Sequence, residues 1–250
     1  MTPSLRVALG ALVALALWSA PAAARRPPLR RLVVKGFHSA VYVRCASAGR
    51  SCPVVVALHG NFDRPEWACG AWRGVVGGRA WLLCPRGRRR GDVSRAFDRW
   101  TYAGSARLAR EIDAGLAALA ARYPGRVARG ELVLVGFSLG ATLAARLALK
   151  LPRRFRRAIM VEGGQRAWTV AASRRFARRG GDLVAFGCGS RRCRARARRA
   201  CRRVKARGVW CTSAWARVGH SYGDPLPRRL KPAFDRALKR PPAAASRPRK

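Results

Sequence analysis

Apolar residues occur in two arrangements along this chain: short unbroken runs, and longer stretches in which they recur every three or four positions. Unbroken runs bounded by turn residues are typical of strands buried on both faces, and the recurring pattern is typical of helices with one buried face. The clearest strand covers residues 131–135, and a helix with Leu139, Leu143 and Leu147 on one face follows it. The predicted strands cover residues 29–35, 40–44, 54–58, 80–84, 131–135, 158–161, 183–186 and 209–216, and the predicted helices cover residues 65–76, 107–122, 139–150, 167–179, 191–207 and 226–239.

The order of these elements predicts an α/β fold. Strands and helices alternate from residue 54 onward, which favours a parallel sheet with helices on both faces. The first two strands are joined by Gly36-Phe37-His38-Ser39 and predict an antiparallel hairpin. We therefore expect one domain over residues 25–240, with a mostly parallel eight-stranded sheet. Residues 88–104 show no clean period and are expected to form a loop.

The two ends of the chain differ from this domain. Arg6, an apolar run over residues 7–18 and Ala22-Ala23-Ala24 before Arg25 match the three parts of a secretory signal peptide. The alternative is an uncleaved membrane anchor, but the run is shorter than the roughly 18 apolar residues that a span needs. We expect residues 1–24 to be removed and the protein to be periplasmic or secreted, with no remaining transmembrane span. Residues 241–250, rich in Pro, Ala and Arg, are expected to form a disordered basic tail.

The chain has eight cysteines, all after residue 24, which fits disulfide bonds in an oxidising compartment. A zinc site is disfavoured because the chain has no Cys-x-x-Cys pair and no histidine at ligand spacing, so no metal is expected. Eight cysteines allow 105 connectivities. Short local loops favour the pairs Cys45–Cys52, Cys69–Cys84, Cys188–Cys193 and Cys201–Cys211.

The formal net charge of +42 suits anionic partners such as polymers or lipid surfaces. Residues 191–207 carry ten basic residues in seventeen, around an apolar stripe at helical period. This pattern is typical of an amphipathic helix with a solvated basic face. Interleaved aromatics or a recognisable nucleic-acid-binding module are missing from this helix, so no specific nucleic-acid partner is expected.

The chemistry-bearing motif is Gly136-Phe137-Ser138-Leu139-Gly140, which lies between the clearest strand and its helix. Flanking glycines in this context allow the sharp turn of a nucleophile elbow, so Ser138 is the candidate nucleophile. A serine hydroxyl needs a base within hydrogen-bond reach. Of three histidines, His38 lies in the predicted hairpin turn and His59 at a strand end, which leaves His220 as the candidate base.

Together with Leu58-His59-Gly60-Asn61 and Gly219-His220-Ser221, the elbow resembles the α/β-hydrolase fold family over roughly residues 29–239. The resemblance implies an oxyanion hole made by the backbone amides of Asn61 and Leu139, with His59 in a structural role. It also implies no cofactor. Only residues 163–166 lie between Glu162, which ends the strand predicted from residue 158, and the next helix, so we expect no lid. A lidless, exported chain with cysteines is most similar to the secreted feruloyl esterases and polyhydroxyalkanoate depolymerases.

The third catalytic group does not match the family pattern. The loop after strand 183–186, where the family usually has its acid, contains no carboxylate. Glu162 ends the preceding strand, and we expect it to orient His220. Asp224, Asp98 and Asp92 are alternatives, as is a dyad without an acid.

Two further expectations complete the functional hypothesis. Trp100 and Tyr102, in the loop 88–104 beside the site, could line a substrate pocket. The expected function is that of an exported serine hydrolase that forms an acyl-enzyme on Ser138, with a small-molecule or polymer ester as substrate and an amide as the less favoured one. The alternative is a catalytically inactive scaffold of this fold that binds anionic polymers or surfaces.

Overall fold

The computed structural model describes residues 26–47, 50–94 and 96–239, without the side chains of residues 129 and 131. The predicted signal peptide and basic tail lie outside these residues. Ten strands are present in the described part: β1 Arg30–Leu32, β2 Ala40–Val43, β3 Cys52–Leu58, β4 Trp81–Cys84, β5 Arg88–Arg89, β6 Trp100–Thr101, β7 Val127–Phe137, β8 Arg157–Val161, β9 Leu183–Cys188 and β10 Trp210–Trp215. The α-helices are α1 Pro65–Val76, α2 Ser105–Arg122, α3 Leu139–Lys150, α4 Val170–Arg178, α5 Arg191–Lys205 and α6 Leu226–Leu238, and a 3₁₀ turn covers Gln165–Ala167.

Eight of these strands form one sheet in the order β1-β2-β4-β3-β7-β8-β9-β10. The pairs β1/β2 and β2/β4 are antiparallel, and every other pair in this sheet is parallel. The predicted fold class is therefore confirmed. Among the described helices, none is both long and apolar enough to cross a membrane.

The core lies on both faces of the sheet, as the unbroken apolar runs predict. Along β3, Val54 and Val56 belong to the apolar cluster that includes the buried faces of α2, α3, α4 and α5, whereas Val55 and Ala57 belong to the cluster that includes those of α1 and α6. All four side chains are fully buried. Full burial of one such valine stabilises the fold by about 1.5–3 kcal/mol, so a polar residue at any of these four positions of β3 would destabilise it.

The expected loop at residues 88–104 contains local structure that its sequence does not indicate. β5 and β6 form a two-stranded antiparallel ribbon, and Trp100 of β6 makes a further bridge to Asp63. The helix expected at 167–179 is also shorter: the 3₁₀ turn comes first, and Thr169 then caps α4 by accepting the N–H of Ala172. Thr169 ends the turn because its hydroxyl satisfies one of the free N–H groups at the start of the helix.

All eight cysteines form disulfides, and the four predicted pairs are confirmed. Cys69–Cys84 joins α1 to β4, and Cys201–Cys211 joins α5 to β10. Cys188–Cys193 joins the end of β9 to the first turn of α5. This third bridge closes the loop that follows β9, next to the site described below.

Candidate active site

Ser138 lies in the turn between β7 and α3, with φ 52° and ψ −111°. Non-glycine residues rarely have positive φ, and such conformations concentrate at functional turns. The two glycines of the motif are required by close approach: a Cβ at residue 136 would lie 2.4 Å from the carbonyl oxygen of Gly140, and a Cβ on Gly140 would lie 2.5 Å from that of Leu58. The strand and helix therefore cross closely enough to hold Ser138 at the tip of the turn.

His220 lies in the loop between β10 and α6. Its Nε2 is 2.9 Å from Ser138 Oγ, and its Nδ1 is 3.3 Å from Glu162 Oε2. The ring also packs against Phe137, with centroids 5.0 Å apart. Hydroxyl, imidazole and carboxylate thus form one continuous chain of contacts at the carboxyl edge of the sheet.

Glu162 follows β8 directly and has φ 52°. Its Oε1 accepts the backbone N–H of Gly189 at 2.6 Å and that of Ser190 at 3.0 Å, and the Ser190 hydroxyl lies 3.3 Å away. Its side chain is only 6% exposed. The loop after β9, which has no carboxylate of its own, therefore supplies the donors that hold the carboxylate of Glu162.

The other candidate acids form ion pairs with arginine. Arg228 pairs with Asp224 one helical turn away, and Arg90 pairs with Asp92. Asp98 lies between Arg64 and Arg89 and accepts the indole N–H of Trp100. Glu162 is the candidate that the structure places against His220.

His59 is fully buried at the end of β3. Its Nδ1 lies 2.7 Å from the carbonyl oxygen of Gly60 and its Nε2 lies 2.9 Å from that of Arg86, while Tyr102 stacks on the ring at 4.4 Å. Burial lowers the pKa of His59. These contacts fit the structural role expected for this residue.

Asp63 and Tyr222 were not singled out from the sequence. Asp63 is 5% exposed, accepts the N–H of Gly60 at 2.9 Å and accepts the hydroxyl of Tyr222 at 2.9 and 3.0 Å. Burial and the neighbouring carboxylate raise the pKa of Tyr222. Tyr222 is two residues after His220, so this bond joins the loop that follows β3 to the loop that carries His220. The only sequence signal was that each residue lies within three positions of a motif.

Of the two backbone positions expected to form the oxyanion hole, one lies in the elbow and the other in the loop that follows β3. Leu139 is the first residue of α3, where a helix leaves its N–H groups without intrahelical partners. Asn61 follows Gly60, and its side-chain oxygen accepts the Thr101 hydroxyl at 2.8 Å and an Arg90 N–H at 2.7 Å. These side-chain bonds connect the loop that carries Asn61 to the β5/β6 region.

The structure largely buries Trp100 and Tyr102, the two side chains expected to line a substrate pocket. Trp100 is 5% exposed, with its indole N–H bonded to Asp98, and Tyr102 is 7% exposed, with its hydroxyl donated to the carbonyl of Pro85. Both rings support the loops beneath the site. The exposed aromatic ring beside Asn61 is that of Phe62, which sequence reasoning passed over.

No protein-family model matches the sequence, and no curated protein matches it. Solved structures do match. A carboxylesterase of Bacillus cereus is 19% identical with a TM-score of 0.52, covering 79% of this chain and 93% of its own. A ferulic acid esterase is 14% identical with a TM-score of 0.57, and the match covers 84% of this chain and 95% of the esterase. A fluorophosphonate-binding serine hydrolase of Staphylococcus aureus is 9% identical with a TM-score of 0.57, and the match covers 85% of this chain and 98% of that hydrolase. At these identities the similarity shows a shared fold.

Proposed function

We propose that this chain, which has the α/β-hydrolase fold, is an exported serine hydrolase that cleaves esters through an acyl-enzyme on Ser138. The observation that carries the proposal is the contact chain from Ser138 Oγ to His220 Nε2 at 2.9 Å and from His220 Nδ1 to Glu162 at 3.3 Å. A hydroxyl, a base and an orienting acid in hydrogen-bond reach of one another are what activation of a serine requires.

In the proposed reaction, His220 Nε2 takes the proton of Ser138 as Oγ bonds to the ester carbonyl carbon. The backbone N–H groups of Asn61 and Leu139 stabilise the negative charge on the carbonyl oxygen, each by about 3 kcal/mol in comparable sites. The protonated histidine then gives its proton to the leaving alkoxide, and the alcohol departs. Water attacks the acyl-enzyme with His220 again as the base. Glu162 holds the histidine tautomer and stabilises the imidazolium.

Two observations favour an open site that accepts an ester. Only residues 162–164 separate β8 from the following 3₁₀ turn, which leaves no room for a lid domain at that position. Among the similar structures, a carboxylesterase and a ferulic acid esterase bear names that specify ester substrates. An ester is also the easier substrate, because an alkoxide leaves more readily than an amide nitrogen.

The disulfides support export. Four bridges are present among the described residues, and disulfides persist mainly in oxidising compartments. Together with the predicted signal peptide at residues 1–24, they support a periplasmic or secreted location.

The test is covalent labelling by a fluorophosphonate probe together with turnover of 4-nitrophenyl acetate. Wild type should be labelled and should release 4-nitrophenol, and Ser138→Ala should do neither. Ser213→Ala, on an exposed position of β10, is the matched control and should behave as wild type. If wild type is no more reactive than Ser138→Ala in labelling and turnover, the proposal that this protein is an enzyme is wrong.

The second candidate function is binding of anionic polymers by an inactive scaffold. It is favoured by the net charge and by α5, whose basic side chains have no acidic partner within 4.0 Å among the described residues. Retention on heparin that falls steeply with salt, without any probe labelling, would support this function over hydrolysis.

A further inference from the structure

We propose that a pocket beside Glu162, bordered by Arg146, Arg166 and Arg196, binds an anionic group of the ester substrate. This inference rests on the proposed hydrolase function and narrows its substrate to esters that carry a carboxylate, sulfate or phosphate group. The pocket has a volume of about 520 Å³ and lies between α3, the segment after β8 and α5.

The pocket adjoins the candidate catalytic residues. Glu162, which contacts His220, forms part of its wall. Thr142 forms another part, and its hydroxyl donates to the backbone carbonyl of Ser138 at 3.2 Å. A group bound there therefore lies beside the carboxylate that contacts His220 and beside the first turns of the helix that begins after Ser138.

The three arginines come from three separate elements. Arg146 lies on α3, Arg166 in the 3₁₀ turn and Arg196 on α5. Within the described residues, no carboxylate lies within 4.0 Å of the guanidinium group of any of them. Like charges that border one pocket without a paired carboxylate repel one another, and a bound anion relieves that repulsion.

The charges also influence one another in the free protein. Arg196 is half-buried. Burial and the neighbouring guanidinium groups of Arg192, Arg166 and Arg199 lower its pKa. The side chain nonetheless stays charged at neutral pH, because an arginine pKa lies far above 7.

The floor of the pocket is rigid. A Cβ on Gly163 would lie 2.5 Å from the carbonyl oxygen of Ser138, and a Cβ on Gly164 would lie 2.7 Å from that of Ala141. Gln165 is buried and its amide contacts the sulfur of Cys193 at 3.0 Å. The segment that carries Arg166 is thus packed directly against α3, so the pocket exists before a ligand arrives.

An oxyanion is the chemistry that fits. Guanidinium groups bind carboxylate, sulfate and phosphate through paired, charge-assisted hydrogen bonds. The only carboxylate on the pocket wall is that of Glu162, which is already occupied by the N–H groups of Gly189 and Ser190 and by His220. The pocket is therefore positive toward an incoming anion.

The experiment compares esters matched in size. On the acyl side, 4-nitrophenyl hydrogen adipate carries a terminal carboxylate and 4-nitrophenyl heptanoate is its neutral counterpart. On the leaving-group side, 4-acetoxybenzenesulfonate is compared with 4-acetoxybenzenesulfonamide, a neutral ester of the same size with a similarly electron-withdrawing substituent. The pocket variant is the triple substitution Arg146→Gln/Arg166→Gln/Arg196→Gln. The control is Arg153→Gln/Arg179→Gln/Arg207→Gln. It removes the same number of charges, from positions just beyond the C-terminal ends of α3, α4 and α5.

In wild type and the control, kcat/KM should favour at least one anionic ester over its neutral counterpart, and added salt should reduce the preference. The pocket variant should lose about tenfold on that anionic ester and less than twofold on the neutral one. The pair of esters that shows this loss identifies whether the substrate carries its anionic group on the acyl side or on the leaving-group side. An equal loss on both members of each pair, or an equal loss in the control, would overturn the proposal.

Direct binding separates this inference from the hydrolase proposal. Adipate and inorganic phosphate should raise the melting temperature of wild type and the control more than that of the pocket variant. If Ser138→Ala matches wild type in turnover but this difference in melting temperature holds, hydrolysis fails and the anion pocket stands. If the three proteins respond equally to both anions, the pocket proposal fails whatever the activity.

Discussion

Replacing Glu162 by glutamine separates the charge of this side chain from its shape. The amide oxygen of glutamine can still accept the N–H groups of Gly189 and Ser190, which lie 2.6 and 3.0 Å from Oε1. The amide nitrogen then faces His220 Nδ1, where the carboxylate oxygen lies at 3.3 Å. Because an amide nitrogen donates, it favours the tautomer in which Nδ1 accepts and Nε2 carries the proton. That tautomer cannot take a proton from Ser138.

The expected loss follows from this wrong tautomer. In serine proteases the equivalent acid-to-amide change lowers kcat by about 10⁴, so we expect kcat/KM of Glu162→Gln to fall by roughly a thousandfold or more. The fold should survive. Its unfolding free energy should drop by about 1–2 kcal/mol, because hydrogen bonds to a charged acceptor become neutral ones in a side chain that is 6% exposed.

The assay is 4-nitrophenyl acetate turnover, with urea unfolding as the check on folding. Asp224→Asn is the matched control, since Asp224 forms an exposed ion pair with Arg228 and should lose less than threefold. If the kcat/KM of Glu162→Gln stays within threefold of the wild-type value while Ser138→Ala is inactive, the role given to Glu162 is refuted. A large loss in Asp224→Asn instead would assign the acid to that residue.

Two further substitutions test the packing around the site. Tyr222→Phe removes the hydroxyl that donates to Asp63, so kcat for 4-nitrophenyl acetate should fall about tenfold with little change in KM, and the unfolding free energy should fall by about 1–3 kcal/mol. The control is Tyr123→Phe, which removes a hydroxyl bonded to a tyrosine of β2 and should lower stability without changing turnover. Unchanged turnover in Tyr222→Phe would contradict the positioning role. Gly140→Ala places a Cβ 2.5 Å from two backbone carbonyl oxygens, so the free energy of unfolding measured in urea should fall by about 3 kcal/mol or more. Gly74→Ala, at an open position on α1, should raise the free energy of unfolding by about 0.5–1 kcal/mol. Equal effects of the two substitutions would contradict the close crossing at the elbow.

The sheet and the elbow were predictable because they depend on local sequence. A strand buried on both faces needs an unbroken apolar run, and the tight turn at Ser138 needs its flanking glycines. The disulfide pairs were predictable for a related reason. Each joins cysteines at most 15 residues apart, a distance that neighbouring elements can close without knowledge of the fold.

The contacts between loops were not predictable, since they depend on which strands are neighbours. Tyr222 is 159 residues from Asp63 in the chain, and nothing local indicates their bond. Trp100 and Tyr102 lie in an aperiodic segment, which suggested exposed loop aromatics. They are buried because the β5/β6 ribbon folds back over the end of β3 and Tyr102 stacks on His59.

The carboxylate of Glu162 comes from the residue directly after β8, not from the loop after β9. The loop after β9 has no acid, but its backbone amides at Gly189 and Ser190 offer fixed partial positive charge, so they hold a carboxylate that arrives from the neighbouring strand. Residue 189 has to be glycine, because a Cβ there would lie 1.9 Å from the carbonyl oxygen of Gly219. The N–H of Gly219 in turn donates to the carbonyl of Gly189 at 3.2 Å, one residue before His220. The same short loop therefore contacts both Glu162 and the residue before His220, and it holds the two side chains near each other through backbone contacts.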